Sequence, residues 1–525
     1  MKFKQLALVI GIAALLLYSC DSNGPGPDPD PSYGYLSSKV TVDVGGMMSV
    51  TNMSKRDAYV TFSYSEARSA IPAERNHSVD KLRNGGGKLK FKDHPAATRF
   101  NANPPPYEKS VNTRSLSEVS LVYNVGDTRD FWVDKTPEEL DWIQITATLV
   151  RDGTYCMIWL ANGDDEEDEI DFDEMVAKFD VIYPLETNLL GFENGGGPGG
   201  DGGIDGEKKI QILVYNINKN LDTSVKSILG FFWSIDEYSQ AALNTKYGVN
   251  KYRTNLAEIF YIDSESSKKY PDTIYSTLIH EFQHMINFNQ KTMMRGLVSD
   301  VWYNEMLSQL AEDVIGPMVG IDTDSEGHVI NERIPWFLDL YWYMSLEDWD
   351  YDYGLSYPIV YAFGAYLLRN FGGPVLMKEM LSNNKVDHDS VTSALQKINS
   401  GYSFIYALER YAEALVYSGL GPYGLPAGKC SFDKTTSSVI SGETYTAKAF
   451  DIWDIECISP EDRIDLIEDD DDPWYWLNTT GPLIWPMLSY YPWAMFSHSV
   501  FLHYNDLEKG INVSCNYPWL TSFGN

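Results

Sequence analysis

The sequence predicts an α+β protein, in which a mixed sheet and its helices are flanked by β-rich regions at both ends of the chain. Short runs rich in Val, Tyr, Phe and Thr, such as IQITATLV (143–150) and TYCMIWL (154–160), predict strands before residue 190. Apolar residues recur at helical spacing through most of 271–417, which predicts packed helices there. Strand-like composition returns after Gly419, in SSVISGETYTAKAFDIWDI (437–455).

The composition indicates a folded chain of several domains that does not bind nucleic acid. Its length of 525 residues suggests about three or four domains, and a hydrophobic content of 44% supplies their cores. The formal net charge is −33, from 74 acidic and 41 basic residues, and this charge would repel a nucleic-acid backbone. We therefore expect no nucleic-acid partner.

The first 20 residues have the pattern of an export signal. Lys2 and Lys4 form a basic start, and Leu6–Tyr18 is an apolar run too short for a convincing membrane span. The run leads into LYSC (17–20), which resembles the lipobox of bacterial lipoproteins. The resemblance implies cleavage before Cys20, palmitate on the lipidated cysteine, and a lipid anchor in the cell membrane or at the outer membrane and cell surface. Residues 21–40 would then be a flexible tether.

Two changes of composition divide the remaining chain into three regions. We predict a β-rich N-terminal domain at 41–194, a mixed-sheet and helical domain at 195–424, and a β-rich C-terminal domain at 425–525. The glycine-rich stretch GGGPGGDGGIDG (195–206) is interpreted as a flexible junction or a surface loop. Acidic residues between Asp164 and Glu174 are a candidate Ca²⁺ site, but their irregular spacing favours a solvated loop.

The motif that carries chemistry is HEFQH (280–284), within the predicted helix PDTIYSTLIHEFQHMINF (271–288). Histidines four residues apart lie on one helix face, so two neutral imidazoles can share a zinc ion. The glutamate after the first histidine can then act on water that zinc acidifies. With 8 histidines in the chain, such a motif arises by chance in roughly one sequence in a hundred. We therefore expect His280 and His284 to bind metal and Glu281 to be the general base.

A zinc ion bound by two histidines needs a third protein ligand and one open position for water. The predicted helix SDVWYNEMLSQLAEDVIG (299–316) carries Glu305, which follows His284 by 21 residues. A carboxylate on a second helix that crosses the first can supply the missing ligand. We expect Glu305 in this role, and Glu312, two turns further on the same face, is the alternative.

These stretches together resemble the gluzincin zinc metallopeptidases, specifically the hyicolysin-like M30 group. The resemblance rests on PDTIYSTLIHEFQHMINF and WYNEMLSQLAED (302–313), with weaker support from GFFWSIDEY (230–238). It implies a zincin-type fold with active-site helices, zinc as the cofactor, and endopeptidase action on protein or peptide substrates. In zinc peptidases an edge strand beside the metal helix commonly pairs with extended substrate, and we expect 255–263 to be that strand.

One position departs from the pattern of related enzymes. The thermolysin-like pattern has an acidic residue after the serine of the third-ligand helix, where it supports the first histidine, and Gln309 stands there in this chain. Loss of such a support typically costs ~10–100-fold in metal affinity or activity. The alternative function is therefore a catalytically weak or inactive zincin-fold surface lipoprotein that acts as an adhesin or binding protein.

Peptide hydrolysis also needs a hydrogen-bond donor for the tetrahedral oxyanion. A tyrosine or histidine commonly fills this role in gluzincins, and DYGLSYPIVYAFGAYLLRNFG (352–372) contains several tyrosines. The position within the family pattern favours Tyr357 as the donor, with Tyr361 as the alternative.

Overall fold

The computed structural model describes most of the chain between residues 94 and 455, and several short strands outside that range. The described residues are 37–42, 47–50, 59–63, 94–107, 123–137, 140–163, 169–220, 227–340, 346–347, 349, 354, 356–418, 428–452, 454–455, 511–514 and 519–524. The predicted export signal, Cys20 and the acidic residues 164–168 lie outside these ranges. No helix within them has the length and apolarity that crossing a membrane requires.

The centre of the fold is a six-stranded mixed sheet with the strand order β4-β5-β6-β7-β9-β8. In chain order the described strands are β1 (Ser37–Val42), β2 (Met47–Val50), β3 (Tyr59–Ser63), β4 (Thr128–Asp134), β5 (Trp142–Asp152), β6 (Cys156–Ala161), β7 (Ile210–Tyr215), β8 (Gly230–Phe232), β9 (Ile259–Asp263), β10 (Thr436–Ile440), β11 (Glu443–Ala447), β12 (Ile511–Ser514) and β13 (Trp519–Gly524). β6, β7 and β9 are parallel, while β4, β5 and β8 join antiparallel. Every residue of the three parallel strands is buried, as expected for a sheet covered on both faces.

Strands on both sides of residue 195 belong to this one sheet. β6 precedes the glycine-rich stretch and β7 follows it, and the two strands pair from Cys156 opposite Ile210 to Leu160 opposite Val214. The predicted domain boundary at 194/195 is therefore wrong. Composition changes at the loop, but the hydrogen bonding of the sheet continues across it. The strands predicted before residue 165 that lie in the sheet are confirmed as β4, β5 and β6.

The two ends of the chain also pair with each other. β13 lies between β1 and β3, and β12 pairs with β2, all antiparallel. The predicted N-terminal and C-terminal β-rich regions therefore share sheets instead of forming two separate domains. β10 and β11 form a hairpin through Ser441 and Gly442, which both have positive φ, as a tight two-residue hairpin turn requires.

Helices cover the sheet and supply most of the described elements between β9 and β10. In chain order the described helices are α1 (Pro95–Asn101), α2 (Phe172–Leu190), α3 (Gln240–Tyr247), α4 (Ser264–Lys269), α5 (Pro271–Asn287), α6 (Val301–Ile315), α7 (Val329–Leu340), α8 (Ser356–Asn370), α9 (Val375–Ser382), α10 (Asp387–Ile398) and α11 (Phe404–Tyr417). Helix α6 packs against both α5 and α8 and is almost wholly buried. The last part of the helical pattern predicted up to residue 417 is confirmed as α9 to α11.

Helix α2 lies in a region predicted to be mostly strand. The Asp171 side chain accepts a hydrogen bond from the backbone N–H of Glu174, and this N-cap starts the helix. Asp173 lies in the first turn, where negative charge is favourable, and pairs with Arg151 at 2.6 Å. The described part of the candidate Ca²⁺ site, from Glu169 to Glu174, is therefore a helix start, and the structure does not bring these described residues together as metal ligands.

Candidate metal centre

Helix α5 carries the HEFQH motif into the interior of the protein. Pro271 is its first residue, where the N–H that proline lacks would have no helical partner. From Thr273 onward every residue of the helix is buried, so its polar side chains must find partners inside the fold. The rings of His280 and His284 lie on one face, with their centroids 4.7 Å apart.

Helix α6 brings Glu305 to these two rings. One carboxylate oxygen of Glu305 lies 3.0 Å from Nε2 of His280, and the other lies 3.3 Å from Nε2 of His284. One ligand atom from each of the three residues falls within 4.8 Å of the others, and all three residues are buried. In the described part of the chain this is the one group of three His, Cys, Asp or Glu side chains with such a geometry.

Glu312 lies behind His280, on the opposite side of the ring from Glu305. Its Oε1 is 2.7 Å from Nδ1 of the histidine, and its Oε2 accepts a hydrogen bond from Ser276 Oγ at 2.6 Å. A carboxylate at Nδ1 holds a proton there and leaves Nε2 of the neutral ring free to bind metal. The structure therefore places the alternative third ligand in a supporting position.

Gln309 does not face the histidines. Its amide donates to the backbone carbonyl of Glu305 at 3.0 Å, within the same helix. The expectation that His280 lacks a supporting carboxylate is therefore wrong, because Glu312 supplies it from one turn further along. Residues 305 and 312 are seven positions apart, so both point to the side of α6 that faces α5.

Opposing effects set the charge of the centre. Burial lowers the pKa of His280, but Glu305 and Glu312 outweigh it and raise that pKa well above its ordinary value. Burial raises the pKa of Glu305, but His284 and His280 outweigh it and hold that pKa below its usual range. The imidazoles must be neutral to bind a metal, so protons and metal ions compete for this cluster.

Glu281 is held by the backbone of the sheet. The N–H of Phe232, in β8, donates to its Oε2 at 2.7 Å. Burial raises the pKa of Glu281, whereas the neighbouring His280 and His284 lower it. The side chain lines two cavities, one shared with His284 and the other with His280, so it can reach molecules that enter either of them.

The edge of the sheet next to this centre is β8. The predicted edge, 255–263, contains β9, which has β7 on one side and β8 on the other. The expectation for 255–263 is therefore wrong, because both sides of β9 are already paired. β8 ends the strand order, and its three residues are too short a run to give a strand signal in sequence.

Helix α1 covers the outer side of β8. Nδ2 of Asn101 donates to the carbonyl of Phe232 at 2.7 Å, and its Oδ1 accepts the N–H of Ser234 at 2.9 Å. A single side-chain amide thus pairs with the strand as the backbone of a neighbouring strand would. The same helix forms one wall of the cavity that contains Glu281 and His284.

Tyr357 lines the second cavity beside the metal centre. Its ring centroid lies 6.1 Å from that of His280, and Glu281 lines the same cavity. Arg333, which the sequence did not single out, also lines it and places its guanidinium 5.0 Å above the tyrosine ring. The local sequence around Arg333 does not distinguish a buried arginine from an exposed one on a helix. Only the packing of α7 shows that this side chain is buried and lines the cavity.

Tyr361 lies one turn further along α8 and is fully buried. Burial, and then the carboxylate of Asp313, raise the pKa of its phenol well above the ordinary value. Asp313 is itself paired with Arg369 at 2.8 Å. The structure therefore brings Tyr357 to the centre and places Tyr361 beside a structural ion pair.

The donor set fits zinc. Two imidazole nitrogens and one carboxylate oxygen are ligands that zinc takes in catalytic sites. The carboxylate behind His280 completes the arrangement that commonly orients a zinc-bound histidine. A Ca²⁺ or Mg²⁺ ion would instead require a set made almost wholly of oxygens.

Two comparisons relate the chain to known proteins. The sequence model of the peptidase M30 family matches residues 174–439, which is just over half of the chain. A neutral metalloprotease, ShpI, of Staphylococcus hyicus is 26% identical over an alignment of 208 residues, which covers 37% of this chain and 43% of that protein. The chain thus spans less than half the length of this curated relative. The matched family region contains the metal centre and begins after β4 to β6.

Proposed function

This chain belongs to the peptidase M30 family, and from that premise we propose that it is a zinc metalloendopeptidase that acts on proteins or peptides. The observation that carries the proposal is the buried group of His280, His284 and Glu305, with Glu281 beside it in a cavity. Zinc held by these three residues would supply the Lewis acidity that lowers the pKa of water and polarises the scissile carbonyl.

Glu281 is the proposed general base. It accepts a proton from the attacking water and then passes that proton to the leaving amine, so one carboxylate serves both halves of the reaction. The hydrogen bond from the N–H of Phe232 uses one of its oxygens and orients the other. Burial supports the second transfer, because it raises the pKa of the carboxyl and makes the protonated form accessible.

Tyr357 is the proposed donor to the tetrahedral oxyanion. It lines the same cavity as Glu281, and the guanidinium of Arg333 packs against its ring. The packing reduces the freedom of the phenol, which favours a donor already in place when the negative charge develops.

The substrate backbone is proposed to pair with β8. That strand is the edge next to Glu281, and extended peptides commonly bind by adding a strand to such an edge. Asn101 uses the carbonyl of Phe232 and the N–H of Ser234, which a pairing substrate would need. Substrate binding therefore requires Asn101 to leave β8.

Membrane attachment is a separate part of the proposal. The lipobox-like LYSC (17–20) supports export and a lipid anchor at Cys20, in the cell membrane or at the cell surface. The proposed tether after it would hold the folded peptidase away from the lipid surface.

The second candidate function is a zincin-fold surface lipoprotein that binds protein without cleaving it. The observation that favours it is helix α1, which closes the edge of β8 beside the metal centre. Gln309 no longer favours it, since Glu312 supplies the carboxylate that Gln309 lacks.

The test compares zinc content and cleavage of an unfolded protein substrate for the purified full-length chain, Glu281→Gln and Glu305→Ala. The peptidase proposal expects zinc and cleavage in the parent, zinc without cleavage in Glu281→Gln, and loss of zinc in Glu305→Ala. Zinc in the parent with no cleavage by any form would support the binding protein instead. Equal cleavage by parent and Glu281→Gln would exclude Glu281 as the base.

A further inference from the structure

The cavity beside His280 contains a positively charged side chain. Arg333 lines it together with Glu281 and Tyr357, and the space measures about 450 Å³. That volume lies in the range of pockets that bind small ligands. A substrate group that enters this cavity therefore lies next to the proposed general base and meets the guanidinium.

The guanidinium of Arg333 is buried without a full set of hydrogen-bond partners. The residue is 8% exposed, and its Nε is buried with no acceptor among the described residues. In the described part of the chain one carboxylate comes within ion-pair distance, since Oε2 of Glu332 lies 3.9 Å from Nη2. That separation is too long for a hydrogen bond. A buried charge without a close partner is unfavourable, so the geometry favours an anion supplied by a bound molecule.

The ring of Tyr357 restrains the guanidinium. Cζ of Arg333 lies 5.0 Å from the centre of that ring, which is a cation–π contact. The face of the ring attracts the charge but supplies no acceptor oxygen, so the N–H donors of the guanidinium still need one. These donors form a planar fork that matches the two oxygens of a carboxylate. The side chain is therefore already in place to bind a carboxylate.

The other carboxylates of the cavity are held by different partners. Glu312 lies 2.7 Å from Nδ1 of His280, and Glu281 accepts the N–H of Phe232 at 2.7 Å. The ion pairs of the described residues join neither of these two glutamates to Arg333. Their negative charge lowers the affinity of the cavity for an anion in general. Binding therefore depends on a close hydrogen-bonded pair with the guanidinium and not on attraction from a distance.

We propose that Arg333 binds a carboxylate group of the substrate and so determines which peptides this site accepts. The inference rests on the proposed peptidase function and names the substrate class of the same site. The carboxylate supplies the acceptor that Nε lacks among the described residues. It has two possible sources, the side chain of Asp or Glu beside the scissile bond and the free C terminus of a peptide. The first source gives an endopeptidase selective for acidic residues, and the second gives removal of C-terminal residues.

The experiment measures kcat/KM of the zinc-loaded, full-length protein on matched alanine hexapeptides. One set has both ends blocked and carries Glu, Gln or Lys at the two central positions. A second set is all alanine, with the C terminus either free or amidated. We expect a preference of about 10–100-fold for the peptide with the carboxylate, the size of a charge-assisted bidentate pair. Preference for Glu over Gln identifies the side chain as the source, and preference for the free C terminus identifies the terminus.

Arg333→Met removes the charge and keeps a long apolar stem, so it should abolish the preference. Arg333→Glu should reverse it in favour of the Lys peptide. Because Arg333 also packs against Tyr357, the ratio between two peptides is the measured quantity, and a general change in kcat leaves that ratio unchanged. The matched control is Arg253→Met. Its guanidinium lies 4.4 Å from the ring centre of Trp132, neither residue lines either cavity, and the preference should persist.

Peptide binding separates this inference from the peptidase proposal. Fluorescence anisotropy of the same peptides, labelled at the N terminus, gives Kd for the zinc-loaded parent and for Glu281→Gln. Tighter binding of the carboxylate peptides without any cleavage by the parent would support the carboxylate site and contradict the peptidase. Cleavage by the parent with no preference in either set would overturn the carboxylate site and leave the peptidase standing. A preference retained in folded Arg333→Met would overturn the role of Arg333 as well.

Discussion

Oε1 of Glu312 lies 2.7 Å from Nδ1 of His280, and Oε2 of Glu305 lies 3.0 Å from Nε2 of the same ring. One imidazole is therefore held between two carboxylates that lie two turns apart on one helix. The first orients the ring, and the second faces His284 across the proposed metal position.

Glu312→Gln should weaken zinc binding by ~10–100-fold, since the imidazole loses its charged partner at Nδ1. The matched control is Gln309→Met, which keeps the side-chain length and removes the amide that donates to Glu305. It should change zinc affinity by less than about threefold, because Gln309 does not contact His280. Chelator competition measures both constants. The reverse order of effects would show that Gln309 provides the support.

Tyr357→Phe should lower kcat by ~10²–10³-fold while zinc content stays unchanged, because it removes only the donor to the oxyanion. Tyr361→Phe is the control, since that phenol lies next to Asp313 and away from the cavities. Steady-state cleavage of a fluorogenic peptide separates kcat from KM. A larger kcat loss in Tyr361→Phe than in Tyr357→Phe would show that Tyr361, and not Tyr357, is the donor.

Asn101→Ala should raise kcat/KM by ~2–10-fold, mainly through a lower KM. The substitution frees the carbonyl of Phe232 and the N–H of Ser234, and each hydrogen bond has a net worth of about 0.5–1.5 kcal/mol. Asn103→Ala, on the same segment, is the control. Equal kinetics for parent and Asn101→Ala would mean that substrate does not use this edge.

Asp134→Asn should stabilise the fold above pH 6 by roughly 1–2 kcal/mol, a value reduced for partial solvation. Burial raises the pKa of Asp134 to about 6. The native state therefore holds a proton that the unfolded chain releases, and stability falls as pH rises from about 4 to 6. Denaturant unfolding at several pH values should show a smaller fall for the variant. The control is Asp130→Asn, at an exposed side chain. Its free energy of unfolding should fall with rising pH as much as that of the parent.

Cys20→Ser should move the protein from the membrane fraction to the soluble exported fraction, because the proposed lipid is attached to that thiol. Fractionation of the producing cells, with metabolic labelling by a palmitate analogue, measures both effects. Label retained in the Ser variant would place the lipid elsewhere.

The elements with strong periodicity were predictable, and the spatial relations between them were less so. The helices around His280 and Glu305 follow from their apolar spacing, and the M30 resemblance is confirmed by the family match. The partner of Nδ1 was not predictable, because both Gln309 and Glu312 lie near the expected position and only the packing of α6 on α5 selects one. The edge strand was missed because β8 has three residues, too few for a pattern.

The same limit applies to α2 and the glycine-rich loop. Asp171 and its acidic neighbours have the composition of a solvated loop, and capping geometry alone distinguishes a helix start. Glycine content at 195–206 is typical of flexible linkers, yet the contact of Gly203 with Glu258 shows close packing. In both stretches the decisive information is a hydrogen bond or a steric contact that composition does not encode.

The continuity of the sheet across residue 195 determines how this protein can be shortened. A fragment that starts at residue 174, where the family match begins, would lack β4 to β6 and leave β7 as an open edge. All six residues of β7 are buried in the intact sheet, so their unpaired backbone groups would recruit strands from other molecules. The region that the family model matches is thus smaller than the sheet to which it belongs, and a fragment that keeps the six-stranded sheet has to begin before Thr128.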